Sequence, residues 1–272
     1  MKKIGIIGCG AIGSEIAIAV DRRKINAELV ALFDVSQDAV NTLASRLQNK
    51  PNVTGNIDEF VTSNMDAVVE AASQDAVRKY ARLVLQNDHD LMVMSIGALL
   101  ENNVYDELTC IAEKHDRRIY LPTGAIAGID AIRSVKHLLG EVTLTTRKNP
   151  RALEGAPFFK THKIDLRRIK KARVIYEGKA KDAVKLFPAN VNVAAALSLA
   201  GIGGNKTKVR IVADPMTKVN IHEIHAKGSF GEMHFEVKNV PSPTNPKTSY
   251  LAILSAIECL RSICDDRISI GT

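Results

Sequence analysis

The sequence predicts an α/β protein in two parts: an N-terminal doubly wound parallel sheet, then a second α+β domain on a mixed, mainly antiparallel sheet. Over about the first 125 residues, short apolar runs alternate with amphipathic segments, as in βαβ units. Beyond them, β-rich runs follow one another with few helices between. We expect domains at 1–124 and 125–245, with a helix at about 246–272 that packs back on the first domain.

In the first domain, the apolar runs that predict strands are Lys3–Gly8, Glu28–Asp34, Ala67–Glu70, Asp90–Ser95 and Arg118–Leu121. The amphipathic segments that predict helices are Ala11–Val20, Gln37–Leu47, Asp75–Gln86 and Asn103–Lys114. Parallel strands end at one edge of their sheet, and ligands of such sheets bind in the crevice outside those carboxyl ends.

The second domain opens with a predicted helix over Ile129–Leu139, which has Asp130 in its first turn and Gly140 as its stop signal. The predicted strands are Glu141–Arg147, Arg173–Glu177, Lys206–Ala213, Asn220–Lys227 and Met233–Asn239. Two further helices are predicted, at Pro188–Ala200 and Ser249–Ile263.

A glycine-rich turn, Gly8-Cys9-Gly10-Ala11-Ile12-Gly13, lies between the first strand and the first helix. Gly8 suits a tight exit from the strand, Gly10 lets a pyrophosphate approach the backbone, and Gly13 lets helix and strand pack closely. The helix N-terminus offers free N–H groups to the phosphates. The turn therefore predicts a Rossmann dinucleotide site, with a purely structural turn as the alternative. The expected cofactor contacts here are Gly8, Gly10, Ala11, Ile12 and Gly13.

The second strand ends in Asp34, 21 residues beyond Gly13, where a carboxylate can accept hydrogen bonds from the adenosine ribose. A carboxylate repels a 2′-phosphate, and the following Val35-Ser36-Gln37 contains no arginine to receive one. NAD is therefore favoured over NADP. NADP stays possible because Arg22, Arg23 or Lys24 could fold toward the same pocket.

Composition excludes several classes of protein. The net charge is +7, but tryptophan is absent and aromatic residues make up only 4%, so platforms for stacking nucleic acid bases are scarce. A mildly positive field instead attracts a small anionic substrate. With no apolar run of membrane-spanning length and no leader, we expect a cytoplasmic protein. The four cysteines are scattered, which predicts neither disulfides nor a metal site.

The second half carries two sets of polar residues that could do chemistry. Asn190 and Asn192 lie at the start of an alanine-rich helix, where they could cap the helix or bind a ligand. His222 and His225 fall on one predicted strand, three residues apart, so their side chains point to opposite faces. Only one of them can therefore face a cleft, and a lone histidine is more often structural.

Together, these features resemble the L-aspartate dehydrogenase family over nearly the whole chain. The segments that carry the resemblance are the glycine-rich turn, Ser95–Leu99, Thr123–Asp130, Phe187–Gly201, and Asp214-Pro215 with Asn220–Ile224. The resemblance implies that NAD or NADP binds the Rossmann domain and that the second domain forms the sheet of a homodimer. It also implies that His222 is catalytic and that Ala125 and Asn192 contact the cofactor, with Asn190 as the competing placement.

The implied reaction is the reversible oxidation of L-aspartate to iminoaspartate, which hydrolyses to oxaloacetate and ammonia, in a route that feeds NAD biosynthesis. It needs an acid/base group with a pKa near neutrality, which suits histidine. A related reductase (dihydrodipicolinate reductase or homoserine dehydrogenase) and a non-catalytic NAD sensor are the alternatives. The polar candidates for binding the substrate carboxylates are Ser95, Arg147, Thr161, His162 and Lys163.

Overall fold

The computed structural model describes residues 1–101, 103–188, 192–243, 245, 248–265 and 267. The described residues divide into two compact units: Met1–Pro122 together with 253–265 and 267, and Thr123–Ala252. The chain passes from one unit to the other at 122–123 and at 252–253. Asn239 donates a hydrogen bond to the carbonyl of Ala125, and Tyr250 N donates to Val240 O, so both junctions are held by the second unit.

The strands, in chain order, are β1 (Lys2–Ile7), β2 (Ala27–Phe33), β3 (Asn52–Thr54), β4 (Ala67–Glu70), β5 (Asp90–Val93), β6 (Ile119–Tyr120), β7 (Leu139–Lys148), β8 (Arg173–Lys179), β9 (Lys208–Ala213), β10 (Asn220–Gly228) and β11 (Gly231–Asn239). The α-helices are α1 (Ala11–Asp21), α2 (Gln37–Arg46), α3 (Ile57–Val61), α4 (Gln74–Gln86), α5 (Val104–Lys114), α6 (Ile129–Ser134), α7 (Phe158–Thr161), α8 (Ala180–Leu186), α9 (Asn192–Ala200) and α10 (Tyr250–Cys264). Short 3₁₀ turns occur at Ile96–Leu100, Lys136–Leu138, Pro150–Leu153 and Leu166–Arg168.

The first unit is built on a six-stranded sheet in the order β3-β2-β1-β4-β5-β6, and every strand pair in it is parallel. This confirms the predicted doubly wound fold. The order reverses direction between β1 and β4, and ligands of such sheets bind at that switch point. The sequence did not predict β3, because its three residues are too few to show an alternating pattern.

Helix α10 contributes to the core of this first unit. Its Ala256 and Leu260 are fully buried in the same apolar cluster as Ile4 of β1 and Ile16 of α1. The helix is apolar along the face that the cluster covers, and this burial holds it against the sheet. Within the described residues, no helix is both long enough and apolar enough to span a membrane.

The second unit is built on a five-stranded sheet in the order β11-β10-β7-β9-β8. Only the β7–β9 pair is parallel, so the sheet is mixed and mainly antiparallel, as predicted. Alternate residues of β7 are buried on one face: Val142, Leu144, Thr146 and Lys148. That face is apolar at the start of the strand and polar at its end.

Two helix predictions in this unit need correction. The helix predicted over Ile129–Leu139 ends at Ser134, because the β-branched Val135 leads into a 3₁₀ turn and β7 already begins at Leu139. The helix predicted over Pro188–Ala200 is described from Asn192 onward, and Asn190 lies outside the described residues. A separate helix, Ala180–Leu186, precedes it, and seven residues are too few for its pattern to be recognised.

Candidate functional site

The glycine-rich turn connects the carboxyl end of β1 to α1. Gly8 has a φ of +102°, and a Cβ on it would lie 2.7 Å from the backbone of Ala71 and Ala72, so only glycine fits. A Cβ on Gly13 would collide with the carbonyl oxygen of Gly8. The turn is thus packed closely against the strand ends of the first unit.

Gly10, in contrast, faces open space. A Cβ placed on it would meet no atom within 4 Å, and its φ of −73° is ordinary for any residue. Helix α1 begins directly after it, with Ala11 and Ile12 half-buried, and the first N–H groups of a helix have no partner within the helix. The open side of the turn therefore fits a pyrophosphate held by backbone N–H groups and by the positive end of the helix.

Asp34 lies beside this turn. Its Oδ2 accepts a hydrogen bond of 2.7 Å from Cys9 N, and its Oδ1 accepts one of 2.9 Å from Ser36 N. These bonds fix the carboxylate at the edge where the strands end. Burial and the nearby Asp34 raise the pKa of the Cys9 thiol to about 12, so this cysteine remains a protonated packing residue.

The basic residues that could have received the 2′-phosphate of NADP do not lie near Asp34. Arg22, Arg23 and Lys24 follow the C-terminal end of α1, whose 11 residues span about 16 Å. Helix α1 returns the chain to the amino ends of the strands, and β2 then runs parallel to β1. Asp34, after the carboxyl end of β2, therefore lies at the opposite edge of the sheet from these three residues. The structure thus leaves the carboxylate without these cations.

A buried carboxylate that the sequence did not single out ties together two loops at the same edge. Glu70, at the end of β4, accepts hydrogen bonds from the backbone N of Ala72 and Ser73, each at 2.9 Å. It also accepts bonds from the backbone N and the hydroxyl of Ser95, at 3.0 and 2.9 Å. Burial raises its pKa, and these four donors oppose that rise. Glu70 therefore fixes the loops that follow β4 and β5.

In the second unit, His222 is one of the buried polar side chains. The register of β7 and β10 places His222 opposite Thr146, and its Nδ1 shares a hydrogen bond of 3.0 Å with the Thr146 hydroxyl. His222 is only 2% exposed. His225 points to the other face, where its Nε2 lies 2.5 Å from Glu232 and about half of its side chain is exposed.

Lys148 lies two residues beyond Thr146 on the same face of β7 and is 4% exposed. Burial lowers the pKa of its ammonium group to about 8. The pKa of His222 is lowered to about 3, first by burial and second by the charge of Lys148. The imidazole is therefore neutral at physiological pH, and its pKa lies well below the near-neutral value that the sequence argument assumed.

Ala125 and Asn192 also belong to this unit. Asn239 Nδ2 donates a 2.9 Å hydrogen bond to the carbonyl oxygen of the buried Ala125. A Cβ on Gly124 would lie 3.6 Å from Val193, so this loop passes next to the start of α9, where Asn192 is the first residue. The Oδ1 of Asn239 is buried and has no hydrogen-bond partner among the described residues.

The polar residues suggested for substrate carboxylates are engaged or exposed elsewhere. Ser95 bonds Glu70, and Arg147 pairs with Asp214 at 3.2 Å on the face opposite Lys148. Thr161 and His162 hydrogen-bond each other and the carbonyl of Phe158, and Lys163 is exposed. Lys148 was missed, although the alternation along β7 was a signal for it.

Comparison with known proteins gives consistent matches. Residues 130–263 match the family model "Aspartate dehydrogenase, C-terminal", and residues 8–122 match "Homoserine dehydrogenase, NAD binding domain". The chain is 52% identical to the L-aspartate dehydrogenase of Nitrosopumilus maritimus (strain SCM1) and 48% identical to that of Methanosarcina barkeri, over 100% of each chain.

Solved structures agree. The crystal structure of aspartate dehydrogenase from Thermotoga maritima matches with a TM-score of 0.77 and 28% identity, over 100% of both chains. The scyllo-inositol dehydrogenase of Lactobacillus casei, solved with NAD(H) and scyllo-inositol, matches with a TM-score of 0.60 and 16% identity, over 100% of this chain and 92% of that one. The second likeness reflects the shared fold.

Proposed function

Because the chain belongs to the L-aspartate dehydrogenase family, we propose that it oxidises L-aspartate to iminoaspartate with NAD(P), and that hydrolysis then yields oxaloacetate and ammonia. The observation that carries this proposal is the combination, in one chain, of an open dinucleotide turn at Gly10 with a buried, neutral imidazole at His222. The aspartate dehydrogenase model, which matches residues 130–263, distinguishes this chain from homoserine dehydrogenases, whose NAD-binding model matches residues 8–122.

A nicotinamide cofactor held by the first unit would supply the redox chemistry, as the acceptor of the hydride from Cα of the amino acid. The protein binds, orients and moves protons. When His222 donates its Nδ1–H to Thr146, its Nε2 keeps a free lone pair that can accept a proton from the substrate ammonium or from the attacking water. The bond to Thr146 thereby fixes the orientation of the ring. In the reverse direction, the protonated imidazole returns the proton.

Ala125 and Asn192 are proposed to contact the cofactor. Asn239 holds the carbonyl of Ala125 in place, so this contact is prepared before the cofactor binds. We propose Gly8, Gly10, Ala11, Ile12, Gly13 and Asp34 for the pyrophosphate and ribose. The carboxylate of Asp34 beside Cys9 favours NAD over NADP.

The assay that tests this function follows NADH absorbance at 340 nm in the presence of oxaloacetate and ammonium. We expect NADH oxidation that needs both substrates, and the reverse reaction with L-aspartate and NAD. Omitting ammonium is the matched control, because it separates reductive amination from simple reduction of the keto acid. Binding of NADH without turnover of any amino or keto dicarboxylate would instead support a sensor.

Asp34→Ala tests the cofactor preference. It removes a ribose acceptor and the charge that repels a 2′-phosphate, so kcat/KM with NAD should fall about tenfold or more while kcat/KM with NADP falls less or rises. Because Asp34 also bonds Cys9 N, Asp34→Asn serves as the matched variant: it keeps the shape and removes the charge. Equal losses for both cofactors would contradict the placement of the ribose at Asp34.

We also propose a cytoplasmic homodimer that feeds NAD biosynthesis. The sheet of the second unit supports the dimer, since β11 forms an edge with unpaired backbone groups and such edges are commonly covered. Light scattering should give about twice the chain mass of 29.6 kDa. A fully active monomer at micromolar concentration would contradict this assembly.

A further inference from the structure

We propose that Lys148 is a substrate-binding residue, whose ammonium group receives one carboxylate of the dicarboxylate substrate beside His222. This inference rests on the proposed function and adds to it a residue for the anionic part of the substrate. It replaces the earlier candidates Ser95, Arg147, Thr161, His162 and Lys163.

The position of Lys148 follows from strand geometry. Residues two apart on a strand share a face, so Lys148 lies on the side of β7 that carries Thr146, the direct partner of His222. Its charge is close enough to the imidazole to lower the pKa of His222. Arg147, one residue earlier, is on the other face and pairs with Asp214. Lys148 thus lies on the face of the sheet that carries His222.

Burial strengthens a contact between the Lys148 ammonium group and a carboxylate. A buried ammonium group loses its hydration, which costs free energy, and the depressed pKa of about 8 reports that cost. A carboxylate that arrives at the same place offsets the cost and raises the lysine pKa again. In a low-dielectric setting, such a charge-assisted contact is stronger than one at the surface.

The same contact would connect substrate binding to catalysis. Burial first, and the charge of Lys148 second, lower the pKa of His222 and so keep a proton off its imidazole. A carboxylate on Lys148 offsets the second of these contributions, so the pKa of His222 rises. The histidine therefore becomes the stronger base when a carboxylate-bearing substrate is present.

The first test uses Lys148→Met, which keeps the length of the side chain and removes its charge. We expect KM for L-aspartate to rise by about 30-fold or more, the loss typical of a buried charge pair with one partner removed, while the Kd of NADH stays within about twofold. Lys227→Met is the matched control, because Lys227 is an exposed lysine of β10 outside the buried face. It should behave as the parent does.

The second test needs no variant and therefore does not depend on folding. In the parent, Lys148 is protonated below a pKa of about 8 and loses its charge above it. KM for L-aspartate should be level up to about pH 8 and should rise at higher pH, and Lys148→Met should abolish this rise.

A parent KM that stays level to pH 9, or a Lys148→Met variant with unchanged KM, would overturn the role of Lys148. Failure of the parent to oxidise L-aspartate at all would instead overturn the proposed function. KM for L-aspartate can be measured only if the parent oxidises L-aspartate. Failure of the Lys148 proposal is therefore distinguishable from failure of the proposed function.

Discussion

Replacing His222 by alanine is expected to lower kcat by about 10² to 10⁴, the usual loss when a general acid/base is removed. The physical reason is its position: a neutral imidazole, 2% exposed and oriented by Thr146 on the polar end of the buried face. NADH binding, followed by fluorescence, should be almost unchanged, because the dinucleotide turn belongs to the other unit.

His225→Ala is the matched control for this experiment. It removes a histidine three residues away on the same strand, but one that is half exposed and paired with Glu232 on the opposite face. Its kcat should stay within about twofold of the parent value. If His225→Ala loses activity and His222→Ala does not, the acid/base role belongs to His225 and not to His222. A small effect of both would place the acid/base elsewhere.

The second large effect is expected in the glycine-rich turn, where substitution by alanine should act differently at Gly10 and at Gly13. In Gly13→Ala, the new methyl group would overlap the carbonyl oxygen of Gly8, and only a shift of the backbone could relieve the overlap. The free energy of unfolding should therefore fall by about 1–3 kcal/mol or more. Gly10→Ala meets no atom and has an ordinary φ, so its unfolding free energy should be unchanged or slightly higher.

NADH affinity separates the two glycines further. The methyl group of Gly10→Ala occupies the space through which we propose that the pyrophosphate approaches, so NADH should bind about tenfold or more weakly to a protein of full stability. Thermal unfolding and fluorescence titration of both variants measure the two effects. A Gly10→Ala variant with parental affinity would show that the phosphates pass elsewhere.

Much of the architecture could be predicted because its signals are local. The apolar runs at Ile4–Ile7 and Ala67–Val69 are continuous, as in a sheet covered on both faces, and the alternation in β10 separates His222 from His225. The glycine-rich turn is a local pattern as well. Strand and helix ends then differ by a few residues, where capping and sheet pairing decide the boundary.

The rest depends on contacts between distant parts of the chain. Asn239 meets Ala125 across 114 residues, and Glu70 meets Ser95 across 25, so no window of sequence contains either pair. The depressed pKa of His222 arises from burial and from Lys148, both of which exist only in the folded protein. Lys148 itself could have been found, because it continues the buried series Val142, Leu144 and Thr146.

The position of α10 also affects how the chain is synthesised and folded. Because Ala256 and Leu260 complete the apolar cluster around Ile4, the first unit lacks part of its core while the ribosome makes Thr123–Ala252. The described residues of the second unit form one continuous stretch that can close as soon as it emerges, whereas the first unit must wait for the core residues of α10. Folding order should therefore be the reverse of synthesis order, with the N-terminal unit the last to become protease-resistant.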